Sequence, residues 1–84
     1  MKKLLLFSAR YCGKCHAANK RLNKMLDKGD YKFKYELIDI ELEKAKVKEY
    51  NVSVIPTLIC LENNKEVKRI KGSILPPYII ELLE

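Results

Sequence analysis

Residues 4–20, LLLFSARYCGKCHAANK, run from an apolar tract through a turn into two cysteines separated by two residues. The tract KKLLLFS at 2–8 is short and bounded by charge, and it reads as a buried strand. Ala9 to Tyr11 then turn the chain into the cysteine pair. From Gly13 to about Lys28 the apolar positions Cys15, Ala18, Leu22, Met25 and Leu26 recur at helical spacing, with Lys14, Asn19, Lys20, Asn23 and Lys24 on the other side. Lys28-Gly29 supplies a basic last turn followed by a glycine, which ends the helix. A strand that delivers Cys-x-x-Cys to the start of a helix decides the fold, and the remaining elements are placed around it.

Cys12 stands just before Gly13, the first helical residue. Its sulfur therefore lies at the positive end of the helix dipole, among backbone N–H groups that have no intrahelical partner. Such a site favours thiolate over thiol, and Lys14 with the surrounding bases acts in the same direction. Cys15 is one turn further on, close to Cys12 but turned toward the core. The pair suits dithiol–disulfide exchange, in which Cys12 attacks a substrate disulfide and Cys15 resolves the mixed disulfide by bridging to Cys12. With His16 the same residues also spell Cys-x-x-Cys-His, the attachment signal for a c-type haem. Haem attachment needs an export route and a distal ligand, and the only methionines are Met25, on the same helix, and Met1. The residues favour thiol exchange.

Downstream, FKYELID at 33–39 alternates apolar and polar residues as a second strand does. It gives way to ELEKAKVKEY, whose Leu42, Ala45 and Tyr50 fall on one face of a shorter helix. Pro56 opens TLICLE, Asn63-Asn64 is a turn signal, and residues 57–71 read as a hairpin. Pro76 and Pro77 suit the first turn of a closing helix. The order β-α-β-α-β-β-α defines an α/β chain. Strands joined by a helix run parallel and hairpin strands antiparallel, so the four-stranded sheet is mixed and covered by helices. Eighty-four residues without a linker or repeat predict one domain over 1–84.

Three cysteines are too few, and odd in number, for a secreted disulfide scaffold, which predicts a reducing compartment such as the cytoplasm. The N-terminal MKKLLLFSAR has an apolar run of four residues, shorter than the core of a signal peptide, and no run reaches membrane-spanning length. Net charge is +6 and unevenly placed. Residues 1–34 carry ten Lys or Arg against Asp27 and Asp30, whereas residues 35–84 carry seven bases against nine acids. The basic half holds the cysteine pair, which predicts a positive field around the thiols and acidic partners, unless the bases only keep a helix face solvated.

These residues resemble the thioredoxin and glutaredoxin superfamily from about Lys3 to Glu84. LLLFSARYCGKC is similar to the first core strand and active site of thioredoxins, with Tyr11 where they carry Trp. YNVSVIPTLICLENNKEVKRIKGSI is similar, without a gap, to their Y-G-I-x-x-I-P-T-L-x-x-F-x-N-G segment and the strand and glycine that follow. The resemblance implies a thioredoxin fold, a cis-proline at Pro56 facing the cysteines, and Gly72 ending the last strand. It also implies substrate docking at Ile55, Pro56, Thr57 and Gly72, with Tyr11, Gly13, Lys14 and His16 modulating the thiols. Three departures are visible. The chain lacks the first strand and helix of a full thioredoxin and is glutaredoxin-sized; Gly13-Lys14 replaces Gly-Pro; and Leu6 stands where thioredoxins bury an Asp. Glutaredoxin marks are incomplete, because Ala9 stands where a Lys commonly holds the glutathione carboxylate and Gly72-Ser73 lacks the Gly-Gly-x-x-Asp pattern.

The expectation is a monomeric reductase of protein disulfides without a cofactor, supplied with electrons by a thioredoxin-reductase-type system or, alternatively, by glutathione. A zinc site would have to combine Cys12, Cys15, Cys60 and His16, at spacings wrong for a closed tetrahedral site. An iron–sulfur cluster shared by two chains through Cys12 stays open as an alternative. So does a redox-sensing module that binds nucleic acid through the basic first helix, although only Tyr11, Tyr31 and Phe33 could serve as its aromatic platform.

Overall fold

A computed structural model describes residues Met1–Glu84. The elements run β1 (Lys2–Ser8), α1 (Gly13–Lys28), β2 (Lys34–Asp39), α2 (Lys44–Glu49), β3 (Thr57–Glu62), β4 (Lys65–Lys71) and α3 (Pro76–Leu83). They form one four-stranded sheet in the order β2-β1-β3-β4. β1 is parallel to β2, with Ser8 opposite Asp39, and antiparallel to β3, with Phe7 opposite Thr57. The Asn63-Asn64 turn between β3 and β4 has positive φ at both residues, 54° and 66°, as a two-residue hairpin of type I′ requires. This mixed sheet between helices is a thioredoxin fold.

Alternation along the inner strands splits the core in two. Leu4 and Leu6 of β1 face the same side as Leu58 and Cys60 of β3, where Ala18 and Leu22 of α1 and Ile79 and Leu82 of α3 close over them. Leu5 and Phe7 face the other side with Ile38, Ile59 and Leu61, covered by Val47, Tyr50, Val52 and Ile55. Leu4, Leu6 and Phe7 are wholly buried, and each such side chain contributes about 1.5–3 kcal/mol by leaving water. Polar struts tie the layers together. The Tyr35 hydroxyl on β2 donates to Asn19 Oδ1 on α1 at 2.6 Å, and Arg69 Nη2 on β4 donates to the Tyr50 carbonyl at 2.8 Å.

Two sequence expectations need correction. Asn19 does not belong to a solvated face but is half-buried against Tyr35, whose phenol is pushed upward by burial. The second helix is shorter than its pattern, and Leu42 and Ala45 are exposed; Val47 and Tyr50 make the core contact. The cause is Asp39, whose carboxylate accepts from the Glu41 N–H at 2.9 Å and whose carbonyl accepts from the Glu43 N–H at 2.9 Å. Residues 40–43 thereby become a turn, the helix starts at Lys44, and Leu42 is swung outward at 77% exposure.

Glu36 on β2 accepts a hydrogen bond from Lys46 Nζ at 2.6 Å and pairs with Lys3 Nζ at 3.0 Å. The bond from Lys46, then that from Lys3, holds its carboxyl below the ordinary 4.5. The contribution is therefore complete above the unfolded value and is lost as the pH falls through the lower folded value. Glu36→Gln should reduce stability slightly at neutral pH, because the pairs are partly exposed and screened. It should also flatten the acid loss of stability below about pH 4.5, as read from urea melts across that range.

Candidate active site

The end of β1 delivers the chain through Ala9–Tyr11 to the start of α1. The Cys12 N–H donates to the Ala9 carbonyl at 3.2 Å, and the Cys12 carbonyl accepts from the His16 N–H at 3.2 Å. Cys12 is the N-cap of α1, with extended backbone (φ −99°, ψ 103°), and its sulfur accepts the Cys15 N–H at 3.1 Å. This bond does for sulfur what a Ser or Asp oxygen does at an N-cap. A negative sulfur would be held here by an N–H donor and the helix dipole together. Cys12 and Cys15 are joined as a disulfide with their Cα atoms 5.2 Å apart. Cys12 is partly exposed, whereas Cys15 is buried.

Around the pair, Gly13 and Lys14 are exposed, and open space surrounds the position a Gly13 Cβ would take. Tyr11 projects into solvent at 74% exposure. The His16 Nε2 donates to the Arg10 carbonyl at 2.7 Å, which braces the turn between strand and helix. Cys60 lies in mid-sheet, wholly buried, with its sulfur 3.7 Å from the Leu82 carbonyl. No group of three or more His, Cys, Asp or Glu side chains converges anywhere in the chain. No helix is long and apolar enough to cross a membrane.

Phe7 opposite Thr57 sets the start of β3 beside the end of β1, and the loop before it beside the cysteines. The Ile55–Pro56 peptide bond is cis and Pro56 is buried. Neither the N–H nor the carbonyl of Ile55 has a partner within the chain. Thr57 is placed otherwise than a docking residue would be: it is wholly buried and its hydroxyl donates to the Val54 carbonyl at 2.7 Å, so it shapes the loop from beneath. Gly72 follows β4 with φ +84°, a conformation that suits glycine, and its N–H donates to the Pro56 carbonyl at 2.9 Å.

Two clefts flank the disulfide. An apolar groove of about 190 Å³ runs between Tyr11 and the Val52–Ile55 loop, floored by Ile40 and Val47. On the other side a cleft of about 160 Å³ opens on Cys15, His16, Asn19 and Asp39. The largest cleft, about 360 Å³, lies between β4 and α3 and includes none of these residues. Sequence reading had not picked out Asp39, Ile40, Val47 or Val54 for the site. The signal for Asp39 was the parallel crossover itself, since parallel strands end at the same edge of a sheet and Asp39 closes β2 as Ser8 closes β1.

A cap-bound sulfur disulfide-linked to a buried second cysteine, on a thioredoxin fold, defines a protein with a redox-type dithiol centre. The sequence profile of the Thioredoxin family matches residues 1–83, and the chain belongs to that family. It is 35% identical to thioredoxin H2 of Arabidopsis thaliana over 74 residues, 84% of this chain and 54% of that protein. It is 33% identical to the mitochondrial thioredoxin of Mus musculus over 66 residues, 79% of this chain and 40% of that protein. The chain thus spans about half the length of these relatives. Among solved structures, a mutant thioredoxin from Halobacterium salinarum superposes with a TM-score of 0.89 at 21% identity, over 98% of this chain and 71% of that one. Oxidised mitochondrial thioredoxin 3 of Saccharomyces cerevisiae gives 0.82 at 22% identity, over 98% and 76%.

Burial pushes the Cys60 thiol upward, so it stays protonated and inaccessible at neutral pH. Alkylation of the reduced, folded protein should therefore label Cys12 first, Cys15 slowly, and Cys60 only after unfolding, as resolved by peptide mass mapping. Labelling of Cys15 ahead of Cys12 would contradict the exposure order.

Proposed function

We propose that the chain is a thiol–disulfide oxidoreductase that reduces protein disulfides through a Cys12–Cys15 cycle. The observation that carries this reading is the Cys12 sulfur held at the N-cap of α1 by the Cys15 N–H, beside a free Ile55 backbone edge. An extended substrate segment pairs with the Ile55 N–H and carbonyl as a short added strand, with apolar side chains in the groove beside Tyr11. Ile55 thus sets the position of the substrate disulfide, while Pro56 and Gly72 hold the Ile55 edge in place. Lys14 and Gly13 leave the helix start open to the partner.

In the reaction the Cys12 thiolate attacks one sulfur of the substrate disulfide, which breaks, and the departing sulfur takes a proton from solvent. A Cys12–substrate disulfide results. Cys15 then loses its proton and attacks the Cys12 sulfur, releasing the second substrate thiol and closing the Cys12–Cys15 bridge. Two electrons and two protons pass to the substrate in all. Because Cys15 is buried and Leu6 is apolar, its proton leaves by the cleft on which it opens, where Asp39 is the only carboxylate. A cleft of that size has room for water to relay the proton. Asp39→Asn keeps the oxygen that accepts from Glu41, so it should preserve the turn yet slow closure of the bridge about tenfold or more, measured by quenched-flow trapping of the mixed disulfide. An unchanged closure rate would remove Asp39 from the path.

Reduction of the bridge comes from a thioredoxin-reductase-type system. The Thioredoxin family match supports this over glutathione, as does Ala9 at the position where glutaredoxins commonly carry the Lys that holds the glutathione carboxylate. A reducing compartment such as the cytoplasm fits Cys60, a third thiol kept unpaired in the core. The test offers the oxidised protein NADPH with a thioredoxin reductase and, separately, glutathione with its reductase. Rapid reduction by the first system alone is expected, followed by turnover of insulin disulfides. Cys15→Ser should accumulate mixed disulfide on Cys12, and Cys12→Ser should abolish turnover.

A further inference from the structure

The outer face of α1 carries a charge pattern that disulfide exchange does not require. At 100° per residue, Lys14, Lys20, Arg21, Lys24 and Lys28 fall within a sector of about 120°. Asp27 at its margin is the one acid in the helix, and the first turn contains none. The ion pairs of the molecule join Glu36, Glu43 and Glu66 to Lys3, Lys46 and Arg69, so every cation of this stripe lacks a carboxylate partner. Lys20, Lys24 and Lys28 follow one another at i, i+4 spacing, where like charges repel and weaken a helix. Neighbours of opposite sign would make a merely solvated face without that cost.

The stripe has two ends. Lys14 lies beside Cys12, and about 21 Å away, at 1.5 Å per residue, Lys28 borders a groove of about 280 Å³ lined by Arg21, Lys24, Lys28, Met25 and Pro76. Arg21 is fixed there by a 3.3 Å bond from Nη1 to the Ile74 carbonyl. Cations around an apolar floor of Met25 and Pro76 suit an apolar side chain flanked by carboxylates. Nucleic acid suits the face less well. The one aromatic ring of α1, His16, is tied to the Arg10 carbonyl at the far end of the helix from the groove, and the two amides of α1 are occupied, Asn19 with Tyr35 and Asn23 with Asn19.

We propose that this face is a docking track for an acidic segment of the protein whose disulfide Cys12 attacks, seated with an apolar residue in the Met25–Pro76 groove and leading its disulfide to the N-terminus of α1. The inference rests on the redox reading above and adds the partner's chemistry to it. The track raises the encounter rate with acidic partners and orients them, and salt weakens it as the screening length falls to about 10 Å at 0.1 M.

The test uses the whole chain and two synthetic peptides of equal length, each with an intramolecular disulfide at one end, an apolar residue at the other and six Glu or six Gln between. Reduction of the Glu peptide should exceed that of the Gln peptide about tenfold or more in kcat/KM at 20 mM salt and approach parity at 300 mM. Replacing Lys20, Lys24 and Lys28 by Glu should abolish the preference. Replacing Lys34, Lys65 and Lys68 by Glu, an equal charge change on the exposed edge strands, should preserve it. Equal rates for the two peptides, equal loss of preference in both variants, or displacement of the Glu peptide by a duplex oligonucleotide at lower concentration would overturn the track. Failure of both peptides and of neutral hydroxyethyl disulfide to react would overturn the redox reading instead. Fluorescence anisotropy of the labelled Glu peptide then decides the track alone: stripe-dependent binding supports it and no binding overturns it.

Discussion

β1 is the constraint on which everything else depends. It is hydrogen-bonded on both sides, parallel to β2 and antiparallel to β3, and its central side chains are excluded from water on both faces. A one-residue slip would exchange the two faces, placing Leu4 and Leu6 where Leu5 and Phe7 belong, so burial pins the register. The register fixes geography in turn. The end of β1, the end of β2 and the start of β3 meet at one edge of the sheet, and the loops leaving them supply the cysteines, Asp39 and the Ile55–Pro56 segment.

The site is made largely of backbone. Cys12 receives an N–H from the helix it caps, Ile55 offers an unpaired N–H and carbonyl, and His16 and Thr57 spend their polar atoms on the carbonyls of Arg10 and Val54. These two side chains therefore hold loops in position more than they present chemistry. This economy suits an 84-residue chain whose core is only as thick as one sheet and its covering helices. Charge is distributed unevenly: Lys46 of α2 pairs with Glu36 and Glu43 and Arg69 of the hairpin pairs with Glu66, while the cations of α1 have no carboxylate partner.

Much of this was legible in the sequence because it depends on neighbours along the chain. The 2–8 tract, the 3.6-residue pattern from Gly13 to Lys28, the Asn63-Asn64 turn and Pro76 at a helix start are local signals, and each marks its element in the structure. The setting of Cys12 was legible for the same reason, since an N-cap is a local arrangement. The pattern from Leu42 to Tyr50 misled because the Asp39 carboxylate competed for the Glu41 N–H and turned the chain before the helix could start.

What the sequence by itself determined is therefore the set of elements, their order, and a thiol at a helix start. Tertiary structure alone decided the strand order β2-β1-β3-β4, the pairing that sets Phe7 against Thr57, and the burial that separates an accessible Cys12 from an enclosed Cys15 and Cys60. It also brought Asp39 to the Cys15 cleft and Asn19 to Tyr35. The physical reason is range. Periodicity, capping and turn chemistry act over a few residues, whereas strand pairing and burial act between residues dozens apart and are settled only when the two apolar faces of β1 are both covered.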